Sequence, residues 1–332
     1  MLRDELYNLT PRIPRLLGFS SWISKRFSNY FRFFKLIEFW QEHPSEFIFP
    51  EKGQAILKEL GFKFEVKSTA PHAFELFFET RSKYKFQAEN GEVYMEVGGF
   101  KFLLPFPHGI FELCEVFQDE CYGLFDVEGK VVVDVGAFIG CSPIYFAGKG
   151  AEKIVAFEPN PDIAEVARKN VQLNKLGNRI QVRPEALAAN PGVRPFLVNR
   201  FLPGSSALRN EVKGTMQLHV NTVSISSITH ELGHVDLLKM DCEGAEYEIL
   251  VAAYYDGAFT SIDQIAMEVH GSPEPIMSLL RQAGFEIAKN TRVGSAVELY
   301  PERFLLFAKK TMPELPAAEH KNLNPKRISP TC

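Results

Sequence analysis

The chain has 332 residues, 45% hydrophobic and 23% charged, with a formal net charge of −4 and a sequence pI near 6.1. That is ordinary globular composition, enough for one large domain or a domain with a smaller companion, and the absence of overall basicity argues against DNA as a partner. Five cysteines, Cys114, Cys121, Cys141, Cys242 and Cys332, form no CxxC pair. This speaks against a disulfide framework or zinc site and for a reducing, cytoplasmic setting. No signal-peptide pattern and no apolar run of membrane-spanning length is visible, so no transmembrane segment is expected.

Residues 1–82 are read as an aromatic-rich, helical N-terminal extension. The first 120 residues hold 19 of the 29 phenylalanines, which predicts packing rather than a disordered arm. The spacing predicts an amphipathic helix over Ser28 to Trp40 and a short helix from Gln54 to Leu60 closed by Gly61. The segment 1–36 carries seven Lys/Arg against two acids, read as a solvated face. Residues 83–120 should form a β-hairpin and a helix leading into the core. Lys83 to Phe86 and Val93 to Val97 flank a turn at Asn90-Gly91, and Gly98-Gly99 turns the chain again before Phe100 to Leu104. The extension is expected to act as a cap or dimer contact, so a homodimer is among the expectations.

From residue 121 to 310 strands and helices alternate, which implies a parallel sheet covered on both faces. Strands are predicted at 131–135, 153–157, 180–183, 235–240, 263–269 and 303–308. Helices are predicted around Ile144-Tyr145-Phe146 and from Ile163 to Leu173. Residues 194–223 break the rhythm with an extra pair of strands around Gly204-Ser205-Ser206. Residues 311–332, with four prolines, are expected to be a loose tail.

The most specific pattern is Val131 to Gly140 (VVVDVGAFIG) followed by Val155 to Pro161 (VAFEPNP). Two strands, one closing on a glycine turn and the next on an acid, make a pocket for an adenosine-type ligand. Gly136 and Gly140 permit close backbone approach, and Glu158 is placed to accept ribose hydroxyls. Asp134, Ala137, Phe138, Pro159, Glu185 and Ala186 lie at the same carboxyl edge, where open α/β sheets bind ligands. Strand Val235 to Asp241 is unusual, since Lys239 and Asp241 share one face of a central strand. Such charges must pair or line a cavity. Glu243 and Glu246 are read as opening the next helix, and Glu268 and His270 end the strand after it. No histidine spacing resembles a metal set, so no metal is expected.

The segments DVGAFIG (134–140), AFEPNP (156–161), KNVQLN (169–174), LLKMDCEGAEYEIL (237–250), AMEVHG (266–271) and FLLFAKK (304–310) together resemble the FkbM family of S-adenosylmethionine-dependent methyltransferases. The resemblance covers about residues 83–310, and the K-x-D-x-E-G-x-E run is its most specific part. It implies a Rossmann-like class I methyltransferase fold, a seven-stranded, mostly parallel α/β sheet with an N-terminal α+β extension. It implies S-adenosylmethionine as cofactor and O-methyl transfer to a small-molecule or glycan acceptor. Methyltransferases often carry glycine at the centre of the first motif, and this family often asparagine, where this chain has Phe138.

On this reading Asp134, Gly136, Ala137, Phe138, Gly140, Glu158, Pro159, Glu185, Ala186 and Asp241 hold the cofactor. Asp134 is assigned to the methionine-amine side. Asp241 or His270 is the base that takes the hydroxyl proton, Lys239 compensates charge, and Glu243, Glu246 and Glu268 meet the acceptor. Two other classes stay open: an RNA (tRNA) methyltransferase, which overall acidity disfavours, and a non-catalytic S-adenosylmethionine-binding protein. A nicotinamide enzyme is rejected, because positions 136, 138 and 141 read Gly, Phe, Cys rather than G-x-G-x-x-G.

Overall fold

The computed structural model describes residues 84–90, 92–105, 109–198, 216–293 and 303–311, together with three short strands before them. Those three are β1 (Phe47–Ile48), β2 (Gln54–Leu57) and β3 (Phe62–Glu65), an antiparallel sheet in the order β1-β2-β3. Gln54–Leu57 is therefore a strand and not the expected helix. A lone helix of about seven residues is unstable by itself, whereas this segment pairs along its length with Phe62–Glu65. The helix expected at Ser28 to Trp40 and the tail after Thr311 lie outside the described residues.

The double turn was legible in the chain. Strands β4 (Lys85–Glu89), β5 (Glu92–Val97) and β6 (Phe100–Leu103) form an antiparallel meander. Asn90 has φ 53°, and Gly98 and Gly99 have φ 58° and 83°. These left-handed conformations suit Asn and Gly and give the tight turns. Helix α1 (Gly109–Phe117) follows.

The meander and α1 share one hydrophobic core with the main sheet. Met95, Phe102, Ile110 and Leu113 are buried with Ile139, Ile144 and Phe146. Asn170, fully buried, fastens this junction: its Oδ1 accepts from Leu103 N at 2.6 Å and its Nδ2 donates to Ile139 O at 2.8 Å. One helical turn later Asn174 bonds both backbone groups of Lys101. The two asparagines of KNVQLN thus clamp the meander onto the sheet.

The central sheet contains β7 (Val131–Val135), β8 (Lys153–Phe157), β9 (Ile180–Arg183), β13 (Val235–Met240), β14 (Ile262–His270), β15 (Phe285–Val293) and β16 (Arg303–Lys310). Their order is β15-β16-β14-β13-β7-β8-β9. All neighbours are parallel except β16, which runs antiparallel to β14 and β15. This is the expected α/β class I methyltransferase sheet. Strand β15 was missing from the sequence reading, because FEIAKNTRV is mostly exposed and has no apolar run. Helices α2 (Cys141–Gly148), α3 (Pro161–Leu173), α4 (Ile225–Leu232), α5 (Glu246–Tyr255) and α6 (Glu274–Gln282) connect the strands. A second core under β13 and β14 gathers Val133, Phe157, Leu238, Met240, Ile265, Met267 and Leu306.

The irregular stretch after β9 forms a separate sheet in the order β10-β12-β11, from β10 (Glu185–Leu187), β11 (Gly192–Val198) and β12 (Met216–Val223). The expected pair is present, and β10 adds to it in parallel. Cys114, Cys121, Cys141 and Cys242 are free thiols. Among the described residues no helix is long and apolar enough to cross a membrane.

Candidate active site at the carboxyl edge of the sheet

Strand order reverses between β7 and β13, the place in an open α/β sheet where a ligand crevice is expected beyond the strand ends. Gly136 sits at its base with φ 81°, and a Cβ there would lie 1.8 Å from the backbone oxygen of Asp241. Glycine is thus required by the approach of two strand ends as well as by the turn. Gly140, φ 91°, forms the N-cap of α2. Phe138 has φ 50°. That left-handed conformation is one that Gly and Asn adopt readily, which explains why those residues are common at this place. The Phe138 ring packs against the first hydrophobic core.

Glu158 ends β8 and is 8% exposed. Its Oε2 accepts from Phe138 N at 3.0 Å and its Oε1 from Asn160 N at 2.9 Å. Burial pushes its pKa up to about 7, against the pull of these two amides. Each oxygen has taken one N–H donor and keeps a lone pair for a hydroxyl. The acid therefore fits a ribose with its two vicinal hydroxyls. Ala137 is buried in the same loop, Pro159 is half-buried beside Glu158, and Glu185 and Ala186 fall on β10, past the end of β9.

Lys239 and Asp134 face each other across β13 and β7 in register. Their side chains are 2% and 0% exposed, with Nζ 3.0 Å from Oδ1. Nζ also donates to Gly136 O at 2.8 Å and lies 5.1 Å from the Tyr122 ring centroid. Ser142 Oγ donates to Asp134 Oδ2 at 2.6 Å. Burial opposes the Lys239 charge, but Asp134 and Asp241 together outweigh it and raise its pKa. One expectation is corrected here. Asp134 does not reach toward the ligand's amine, because its carboxylate is fully buried and held by Lys239 and Ser142. The charge opposite Lys239 is that of Asp134, and its ammonium lies beneath the Gly136 turn.

On the other side of Gly136 a second constellation assembles from β13, β14 and the turn between β13 and α5. His270 is 4% exposed; its Nδ1 lies 3.0 Å from Glu246 Oε1. Its Nε2 faces Glu268 Oε1 at 3.4 Å, Glu243 Oε2 at 3.6 Å and Asp241 Oδ1 at 4.0 Å. Asp241 and Glu243 are each 27% exposed on their side chains. Tyr122 donates to Asp241 Oδ2 at 3.2 Å, and Arg303 donates to Glu268 Oε1 at 2.8 Å. Burial works against the His270 charge, but the hydrogen bond to Glu246 and the field of Asp241 outweigh it and lift its pKa to about 9. Burial raises Glu243 to about 7. Glu115, on α1, is raised to about 8 by burial and by the nearby Glu268.

Glu243 does not open the helix as expected. It lies in the turn before α5 with φ 55°, ahead of Gly244 with φ 98°. Glu246 begins the helix but is fully buried, and its Oε1 accepts from Cys242 N and Gly244 N as well as facing His270. It is closed to an acceptor and holds the imidazole instead. The sequence marks Glu115 and Tyr122 only as part of a lead-in resembling the family's entry helix, and gives neither them nor Arg303 a place in the site. Tyr122 and Arg303 lie 119 and 35 residues from their carboxylate partners, and no periodicity carries that information.

Residues 134–287 match the model of the methyltransferase FkbM domain. A protein from Sordaria araneosa described as methyltransferase sdnD is 28% identical over 211 residues, covering 53% of this chain and 82% of that one. Methyltransferase 1 of Beauveria bassiana is 27% identical over 201 residues, covering 52% of this chain and 80% of its own length. The solved structure of M. capricolum TrmK with S-adenosylhomocysteine overlaps 60% of this chain and 68% of that one at 14% identity, with a TM-score of 0.37. With a reversed-order sheet, a glycine turn and a buried strand-end acid, residues 134–287 are similar to methyltransferase FkbM domains, and S-adenosylmethionine-dependent methyl transfer is the activity that this similarity supports.

Proposed function

We propose that the chain methylates a hydroxyl group of a small-molecule or sugar acceptor. The observation that carries this reading is the pair of partly exposed carboxylates, Asp241 and Glu243, beside the Gly136 turn. Glu158 supports the ribose of S-adenosylmethionine, whose sulfonium supplies an electrophilic methyl carbon. The glycine turn lets the cofactor lie close to the ends of β7 and β13. A hydroxyl is a weak nucleophile until its proton is drawn off, so methyl transfer to oxygen needs an acceptor for that proton within hydrogen-bond reach.

Glu243 takes this role, because its side chain, 27% exposed, stands in the turn after β13 beside the Gly136 loop. Asp241, oriented by Tyr122, holds the acceptor in line. His270 is the poorer base of those expected: its ring is enclosed and its Nδ1 is tied to Glu246. A small or single-sugar acceptor fits a crevice between two loops better than an RNA, given the net charge of −4.

The test uses S-adenosylmethionine carrying a labelled methyl group and a panel of sugars, hydroxylated polyketides and unfractionated tRNA. Label should enter a hydroxylated small molecule as a methyl ether. Glu243→Gln should lose about a hundredfold in turnover while binding S-adenosylhomocysteine as the unaltered chain does. Label appearing in tRNA, or full turnover in both Glu243→Gln and Asp241→Asn, overturns the reading.

A further inference from the structure

The geometry points to a divalent metal site, with Asp241, Glu268 and His270 as its ligands, at the ends of β13 and β14. One ligand atom from each of the three lies within 4.8 Å of the others. The telling atom is His270 Nε2. Its ring is 4% exposed, and among the described residues its one hydrogen bond is through Nδ1 to Glu246. Nε2 looks at carboxylate oxygens of Glu268 at 3.4 Å and Asp241 at 4.0 Å, and makes a hydrogen bond to neither. Donors bound to one ion at about 2.0–2.2 Å stand about 3.0 Å apart at right angles and about 4.2 Å apart when opposed. The two spacings from Nε2, 3.4 and 4.0 Å, fall inside that window.

Each ligand also has an outer partner that fixes it. Glu246 holds Nδ1 of His270 and so directs Nε2 inward, an arrangement typical of metal-bound histidines. Tyr122 donates to Asp241 Oδ2 and leaves Oδ1 toward the histidine, and Arg303 donates to Glu268 Oε1, the oxygen that faces Nε2, which keeps one lone pair for an ion. One imidazole nitrogen with two carboxylates suits Mn²⁺ or Zn²⁺ better than Mg²⁺, which favours all-oxygen shells. An ion bound there takes the place of the Nε2 proton and leaves Glu243 as the carboxylate beside it. If the chain methylates a hydroxyl, the ion's open positions face the acceptor's oxygens; that last step rests on the proposed O-methyl transfer.

The full chain, stripped with EDTA and dialysed, is titrated calorimetrically with MnCl₂ and with ZnCl₂. One ion per chain is expected. Asp241→Asn and Glu268→Gln should each weaken binding at least tenfold, and Glu246→Gln by 10–100-fold, as outer partners do. A separate exposed group, His234 with Asp236 and Asp263, also brings ligand atoms together, so Asp263→Asn serves as the control and should leave binding unchanged. S-adenosylhomocysteine is titrated into every variant to show that the fold and cofactor pocket persist. That readout keeps the metal site and the methyltransfer reading separable. No bound ion, binding indifferent to Asp241 and Glu268, or binding lost only in Asp263→Asn overturns the proposal.

Discussion

Replacing Lys239 by methionine tests what the buried ion pair does. The side chain keeps its length and apolar stem but loses the ammonium. Asp134, 0% exposed, then retains Ser142 as its hydrogen-bond donor, at 2.6 Å, and no counter-charge. Removing one partner of a buried pair costs about 3–5 kcal/mol, because the remaining charge has neither water nor a partner. A domain with about 5–15 kcal/mol in hand would lose a large fraction of it. The Gly136 carbonyl also loses its 2.8 Å donor, so the turn beneath the cofactor should loosen.

Urea unfolding followed by far-ultraviolet circular dichroism measures the loss as a lower midpoint. The paired variant Asp134→Asn/Lys239→Met removes both charges and should recover more than half of the deficit. A coupling energy of about 2 kcal/mol or more is therefore expected from the cycle. If Lys239→Met costs under about 1 kcal/mol, or the double variant loses the sum of the singles, the pair is not what holds this edge together. Lys239 would then have to be explained by a direct role toward ligand.

Three further outcomes follow from the same geometry. On the proposed role of Glu158 as acceptor of two ribose hydroxyls, Glu158→Ala removes both hydrogen bonds; at about 1.5–3 kcal/mol per hydrogen bond to a charged group, calorimetry should show S-adenosylhomocysteine binding weakened by at least tenfold, and undiminished affinity would displace Glu158 from the pocket. Gly136→Ala brings a Cβ to 1.8 Å from Asp241 O, so the β7 and β13 ends must separate; the variant should melt well below the parent and lose cofactor binding, and a fully stable, binding-competent variant would contradict the close approach. Glu158 and Glu115 have folded pKa values raised to about 7 and about 8. The folded state therefore holds protons that the unfolded chain has released above about pH 4.5, and stability falls as pH rises through 7 and 8. In EDTA, the melting temperature should be higher at pH 5.5 than at pH 8.5, and Glu158→Gln should flatten that slope.

Strand β7 and its glycine turn were readable because their signal is local: a β-branched run, one acid and two glycines within ten residues. The same holds for the double turn of the meander, where Asn90, Gly98 and Gly99 announce their backbone conformations. The roles of the buried charges were not readable in that way. The sequence places Lys239 and Asp241 on one face of a central strand, where the two would pair with each other or line a cavity. Register decides it: Lys239 lies opposite Asp134 on β7, so the ammonium turns under the sheet edge and Asp241 stays toward the crevice. Glu246 shows the same limit more sharply. A carboxylate in the first turn of a helix is normally a solvated group favoured by the helix dipole. Here His270, 24 residues later, covers it, and the acid becomes the support of a ring.

The difference between those two kinds of residue carries through to function. The proposed cofactor recognition rests on backbone shape and one strand-end acid, so it is carried by contiguous motifs. The proposed acceptor chemistry depends on where three strand-end and turn carboxylates, Asp241, Glu243 and Glu268, meet one histidine, and that meeting needs β7, β13, β14 and α1 to be packed first. Tyr122 and Arg303 make the point, since each fixes a carboxylate it is remote from in sequence. Changing either should leave cofactor binding intact while altering how the acceptor is held. A Tyr122→Phe variant that binds S-adenosylhomocysteine normally, yet raises the KM for acceptor more than it lowers kcat, would place that hydroxyl among the positioning groups. Equal binding and equal kinetics would leave Tyr122 only its packing role.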